Sequence, residues 1–241
     1  MIKKIIQNGF KKIGYRIQKI DQSKLDLTMA GGLQRCLDRG LNVNTIIDVG
    51  ASNSSWSRMC MEYYPNAKYL MIEAQDAHKN DLEKLKTENN NVDYVLAAAG
   101  NREGTIYFDN ESLFGGLASE TPFEKNCIEV PVTSIDKEIK KRNLKPPFLI
   151  KLDTHGFEVP ILEGAQDALK QAELVIIETY NFQLNNDSLK YYQMCKYMED
   201  LGFSSIEMVD SMLRLFDKSF WQMDTFFIPS NSKEFNYRGY Q

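Results

Sequence analysis

The stretch Pro147-Phe148-Leu149-Ile150-Lys151-Leu152-Asp153-Thr154-His155-Gly156-Phe157-Glu158-Val159-Pro160-Ile161-Leu162-Glu163-Gly164 runs from an apolar segment straight into a group of polar side chains. Phe148-Leu149-Ile150 has the length and character of a buried parallel strand. Lys151, Asp153, His155 and Glu158 follow, Gly156 allows a tight turn, and an apolar helix-like segment extends from Val159 to Leu169. Burying carboxylates is costly unless they are paired, so a strand seldom ends in such a cluster for stability alone. In open α/β sheets, ligands sit at the carboxyl ends of strands. The stretch therefore predicts both a parallel sheet and the place of its chemistry.

Outward from it, strand and helix patterns alternate, as they do in a doubly wound, mostly parallel sheet with helices on both faces. Strands are expected at Thr45–Val49, Lys68–Glu73, Val92–Ala98, Phe148–Leu152 and Leu174–Glu178, with Ser204–Val209 and Thr225–Ile228 closing the sheet. Helices are expected at Ser55–Tyr63, Ala77–Glu88, Ser134–Lys141, Val159–Leu169 and Leu189–Leu201, the last ended by Gly202. Thr105–Asp109 and Ile128–Val132 read as an inserted hairpin around the loop Asn110–Asn126, and the tail from Pro229 reads as frayed.

The 241 residues suffice for one large α/β domain. A net charge of -4 lacks the basic footprint of a general nucleic-acid binder. The four cysteines, Cys36, Cys60, Cys127 and Cys195, are scattered without a CxxC pair. A zinc site or dense disulfide frame is therefore not expected, and a reducing, cytoplasmic setting fits. Residues 1–19 carry six basic side chains and no acidic one, with isoleucines and Phe10 at roughly helical spacing. That segment has no secretory-signal or membrane-span pattern. It reads as an amphipathic helix packed on the domain, or alternatively as a peripheral contact of residues 1–20 with an anionic membrane.

Asp48-Val49-Gly50-Ala51-Ser52 ends the first strand, with Gly50 permitting a sharp turn close to a ligand. Glu73 ends the second strand, where a carboxylate typically accepts ribose hydroxyls. Ala74 and the run Ala97-Ala98-Ala99 leave room for a flat base. A dinucleotide site would need further glycines for its pyrophosphate, yet none occurs between Gly50 and Gly100. Asp48 would also repel a pyrophosphate and suit a cationic ligand. S-adenosyl-L-methionine has an ammonium, a sulfonium and a ribose but no phosphate, and is the expected cofactor, held by Asp48, Gly50, Ala51, Ser52, Glu73, Ala74 and Ala98.

At the fourth strand, Asp153 faces the point of reaction and His155 is the expected proton acceptor, imidazole being the side chain best suited to take a hydroxyl proton near neutral pH. Lys151 would hold an anionic acceptor or pair with Asp153 or Glu178. Glu158 suits a helix N-terminus on dipole grounds. Glu178-Thr179-Tyr180-Asn181 would form the far wall of the acceptor pocket, and Leu113–Ser119 with its two glycines reads as a lid or a plain turn. Asp153 and Glu178 offer oxygens to a divalent ion, but their spacing carries no metal signature and no metal ligand is assigned. His78 is expected on a solvated helix.

Together these stretches resemble the FkbM family of methyltransferases: Ile47–Ser52, Ile72-Glu73-Ala74, Ala97–Gly104, Val130–Asp136, and Ile150–Glu158 with the trailing Glu163-Gly164-Ala165. The resemblance covers residues 44–209, and its Lys-x-Asp-x-x-Gly-x-Glu block is the most specific part. It implies a Rossmann-like class I methyltransferase fold over residues 31–229, between an N-terminal extension over 1–30 and a tail over 230–241. It further implies transfer of a methyl group from S-adenosyl-L-methionine to a hydroxyl of a sugar or natural product. Two positions depart from the family pattern: Ser54 stands where a second glycine is common, and His155 where glutamate is common.

The expected acceptor is a small-molecule or glycan hydroxyl, including a lipid-linked or polysaccharide precursor. Nucleic acid is not expected: Pro146-Pro147-Phe148 precedes the strand, whereas a DNA amino-methyltransferase needs such a motif after it. The alternatives are a non-catalytic, cofactor-binding assembly partner in glycan biosynthesis, and an NAD or nucleotide-sugar enzyme on the same fold.

Overall fold

A computed structural model describes residues 26–124, 127–186 and 188–240. The basic segment expected over residues 1–20 lies outside them. The central sheet has seven strands: β1 (Thr45–Val49), β2 (Lys68–Glu73), β3 (Val92–Leu96), β8 (Phe148–Leu152), β9 (Ala172–Tyr180), β10 (Phe203–Leu213) and β11 (Phe220–Pro229). Their order is β10-β11-β9-β8-β1-β2-β3, parallel except for β11, which is antiparallel to both its neighbours. β1 and β8 are buried at every position, which is why they read as continuous apolar runs rather than alternating ones.

The helices are α1 (Met29–Asp38), α2 (Ser55–Cys60), α3 (Lys79–Glu88), α4 (Ile135–Arg142), α5 (Glu158–Glu163), α6 (Gln166–Leu169) and α7 (Tyr191–Asp200). Two buried apolar clusters form, one on each face of the sheet: Ile150, Leu152 and Phe227 belong to one, and Leu149, Ile176 and Phe226 to the other.

A second sheet, ordered β4-β7-β5-β6, joins β4 (Ala98–Ala99), β5 (Gly104–Asp109), β6 (Leu117–Ser119) and β7 (Cys127–Thr133). The expected third strand therefore stops at Leu96, and Ala98–Ala99 leave it to pair with Val132–Thr133. The expected hairpin is β5 against β7, and β6 rises from the loop between them.

The sequence pattern gives no helix signal between the basic segment and Thr45, yet α1 forms there despite a Met-Ala-Gly-Gly opening with little helix propensity. Tertiary contacts hold it: Thr28 caps the first turn, Leu33 and Cys36 are fully buried, and Arg35 and Arg39 both reach Glu207 on β10. The single helix expected from Val159 to Leu169 is broken at Gly164. A Cβ there would overlap the carbonyl oxygen of Gly100, so the chain passes flush against the β4 segment and restarts as α6. The tail does not fray at once: Lys233 Nζ donates to the Arg39 carbonyl at 3.0 Å and Phe235 packs on the second cluster. Among the described residues, no helix is long and apolar enough to cross a membrane.

Candidate active site

The carboxyl ends of β1, β2, β8 and β9 open into a cavity of about 480 Å3, large enough for a nucleoside-sized ligand. Its floor is the turn after β1. Gly50 has φ +75°, and a Cβ on it would overlap the Asp153 carbonyl oxygen, so only glycine lets the β1 and β8 turns approach. Ser52 and Ser54 also have positive φ, 48° and 65°. The second is a backbone conformation that glycine adopts without strain, which fits the glycine that the family resemblance expects at Ser54.

Glu73 braces this turn. Its Oε2 accepts the Ser52 N–H at 2.7 Å and its Oε1 the Gln75 N–H at 2.7 Å. Ala74 and Ala98 line the adjoining wall with Phe157. The segment Leu113–Ala118 forms the cover of the cavity. It is tied down by Gln75 Nε2, which donates to the Ser112 carbonyl at 3.0 Å, and by His78 Nε2, 2.8 Å from the Leu113 carbonyl. His78 is buried, not solvated as expected: it sits under Phe114, with Ser52 Oγ 3.3 Å from Nε2.

Three expected contacts are not on this cavity. Asp48 is fully buried beneath the turn, accepting a hydrogen bond from Ser57 Oγ at 2.6 Å with Lys151 Nζ 3.8 Å away. The reason is register: Asp48 pairs with Lys151 across β1 and β8, one layer below the strand ends. Ala51 is buried in the second apolar cluster. Lys151 is 3% exposed and donates to Asp153 Oδ2 at 2.8 Å, the pairing expected as its alternative, so it positions Asp153 and does not reach an acceptor in the cavity. It lies over the Trp56 ring, beside a second cavity of about 370 Å3 that Asp153, Asp210 and Asp224 also border.

Asp153 and His155 line the main cavity, as do Gly50, Ser52, Glu73, Ala74 and Ala98. Glu178 joins Asp153 and His155 from the end of β9. His155 Nε2 lies 3.6 Å from Asp153 Oδ1 and 3.5 Å from Glu178 Oε2, with the residue itself at φ +52°. Its Nδ1 is 3.4 Å from the Gly116 carbonyl of the cover. The Tyr180 hydroxyl and Gln222 Nε2 both donate to Glu178. Gln222 escaped sequence reading because it arrives from β11, whose pairing with Tyr180 no local pattern reveals.

Burial alone would push the Asp153 carboxyl up, but the Lys151 ammonium outweighs it and holds the group below the usual carboxylate range. Burial and the neighbouring Asp153 charge push Glu178 up to about 9. Burial would lower the Lys151 pKa, yet Asp153 and Asp48 raise it and keep the amine charged. Burial lifts Glu158 above its ordinary value; it accepts the Gly156 N–H at 2.8 Å and the Thr154 hydroxyl, which makes it a clamp for the turn carrying His155. Two neighbouring carboxyl groups with pKa values driven apart are a mark of sites that handle protons.

A Rossmann-like sheet with its cavity at the β1/β8 switch point and an antiparallel β11 defines a class I methyltransferase fold. The methyltransferase FkbM domain matches residues 48–205, so the chain belongs to that family. No curated protein matches the chain. Among solved structures, it resembles methyltransferase FkbM from Methylobacillus flagellatus KT, with 17% identity and a TM-score of 0.51 over 76% of this chain. The match spans 43% of that longer chain. A SAM-dependent methyltransferase from Aquifex aeolicus matches at 13% identity and a TM-score of 0.44, over 92% of this chain and 98% of its own.

Proposed function

We propose that this chain transfers a methyl group from S-adenosylmethionine to a hydroxyl of a saccharide or related small molecule. The observation that carries the reading is one continuous cavity with Glu73 and small side chains at one end and Asp153, His155 and Glu178 at the other. S-adenosylmethionine, when bound, supplies an electrophilic methyl group on a sulfonium.

The residues fit it. Glu73 keeps spare lone pairs for ribose hydroxyls beyond its two backbone bonds. Ala74, Ala98 and Phe157 give an apolar bed for a base. The bare turn at Gly50 lets backbone approach the amino-acid end. Asp153, held ionised by Lys151, places negative charge near a cationic donor. The polar cluster is where an acceptor hydroxyl loses its proton, and residues 113–118 cover the cavity beside it.

Calorimetry with S-adenosylmethionine, S-adenosylhomocysteine and NAD tests the reading. Saturable binding of the first two, followed by methylated product in a screen of sugar acceptors, is the expected result. Binding of NAD alone would overturn it.

A further inference from the structure

Asp153, His155 and Glu178 each offer one ligand atom, and the three atoms lie within 4.8 Å of one another. The Gly116 carbonyl, 3.4 Å from His155 Nδ1, can only accept a hydrogen bond, so the tautomer protonated at Nδ1 points its N–H at that carbonyl and its Nε2 lone pair at the two carboxylates. That lone pair faces Asp153 Oδ1 at 3.6 Å and Glu178 Oε2 at 3.5 Å. Both distances exceed those of good hydrogen bonds. Adjacent ligands of a divalent cation with bonds of about 2.1 Å lie about 3.0 Å apart in octahedral and about 3.4 Å apart in tetrahedral coordination, so these atoms need to close by only a few tenths of an ångström around an ion.

The surroundings match those of a built site. Metal-bound imidazoles usually donate their other N–H to a carbonyl, and ligating carboxylates are themselves hydrogen-bonded. Here Gly116 takes the His155 N–H, Lys151 holds the far oxygen of Asp153, and Tyr180 and Gln222 hold Glu178. Lys151 is the one buried lysine among the described residues, and it already stands between Asp48 and Asp153. Among the described residues Glu178 makes no ion pair with a lysine or arginine, only the His155 contact. Two carboxylates and one imidazole suit a divalent ion such as Mn2+, Mg2+ or Zn2+, and three protein ligands leave positions open toward the cavity.

We propose that Asp153, His155 and Glu178 bind a divalent cation, and that the acceptor hydroxyl occupies an open position on it. The role of the cation in catalysis rests on the methyl-transfer reading above. The cation makes the hydroxyl more acidic. Its proton passes to water, and the oxygen forms a bond to the methyl carbon as the carbon–sulfur bond breaks. The electron pair of that bond stays on sulfur, which becomes a neutral thioether. His155 is then a ligand, and the expectation that it receives the proton gives way.

The test uses the full chain, stripped of metal with a chelator, titrated with Mn2+ by calorimetry and with Co2+ by visible absorption. One saturable Mn2+ site per chain is expected, with Mg2+ competing. His155→Ala and Glu178→Gln should each weaken Mn2+ binding at least tenfold while keeping the wild-type circular dichroism and S-adenosylhomocysteine affinity. Gln222→Ala, which touches no ligand atom of the cation, should weaken it severalfold and serves if the other variants fail to fold. No saturable Mn2+ binding below about 1 mM, or unchanged Mn2+ affinity in these variants, overturns the proposal. Thioether binding without Mn2+ binding sinks the cation alone; Mn2+ binding without binding of either adenosyl compound sinks the methyl-transfer reading and leaves the cation site standing.

Discussion

Lys151 Nζ donates to Asp153 Oδ2 at 2.8 Å from two positions along the same strand end, so one face of the β8 terminus carries its own counter-ion. Lys151 is buried while Asp153 opens to the cavity. The pair turns a costly buried charge into a device that fixes the position and ionisation of a site carboxylate.

Lys151→Met removes that device. Breaking a buried pair by deleting one partner costs about 3–5 kcal/mol, and the 35% exposure of Asp153 places this case near the lower end. Urea unfolding should show a loss of roughly 3 kcal/mol. Turnover should fall with little change in S-adenosylhomocysteine affinity, since Lys151 does not line the main cavity.

Glu73→Ala should weaken S-adenosylhomocysteine binding at least tenfold, about 1.4 kcal/mol, as measured by calorimetry. Glu73→Gln should fall between the two, because its amide oxygen can keep one of the bonds from Ser52 and Gln75. Equal affinity in all three proteins would remove Glu73 from the ligand contacts.

Gly50→Ala forces a Cβ onto the Asp153 carbonyl and a non-glycine residue into φ +75°. Strain and overlap together should cost roughly 3 kcal/mol, or about 10 °C in the melting midpoint. Scanning calorimetry checks it. A variant as stable as the parent would mean that the two turns do not approach so closely.

Glu207 bridges Arg35 and Arg39, tying α1 to the edge strand β10. Burial would raise its pKa, but the two guanidinium groups outweigh that and hold it below its ordinary value of 4.5. A carboxyl depressed in the folded state contributes stability that is fully present above the unfolded value. That contribution is lost as pH falls through the folded one. Stability should therefore drop below pH 4.5 in the wild type. Glu207→Gln should be less stable by about 2 kcal/mol at pH 7 and show a shallower acid limb. Identical pH profiles for the two proteins would count against the bridge.

Much of the candidate site was legible because its residues cluster at strand ends, and strand ends follow from local pattern. Thr45–Val49, Lys68–Glu73 and Phe148–Leu152 are strands with the expected bounds. They deliver Gly50, Glu73, Asp153 and His155 to one cavity. Sequence by itself thus determined the alternation of elements, the parallel core and the family to which the chain belongs.

Only the tertiary structure decided which polar groups face the cavity. Asp48 and Lys151 read as site residues, yet their cross-strand register places them one layer below the strand ends. His78 reads as a surface residue, yet the cover folds down on it through the Leu113 carbonyl. Asp153, His155 and Glu178 meet because β8 and β9 are neighbours, and Gln222 joins them only because β11 inserts antiparallel beside β9. Local periodicity gives the face on which a side chain lies. The depth of that side chain, and the partner opposite it, depend on strand register and on chain segments tens of residues away.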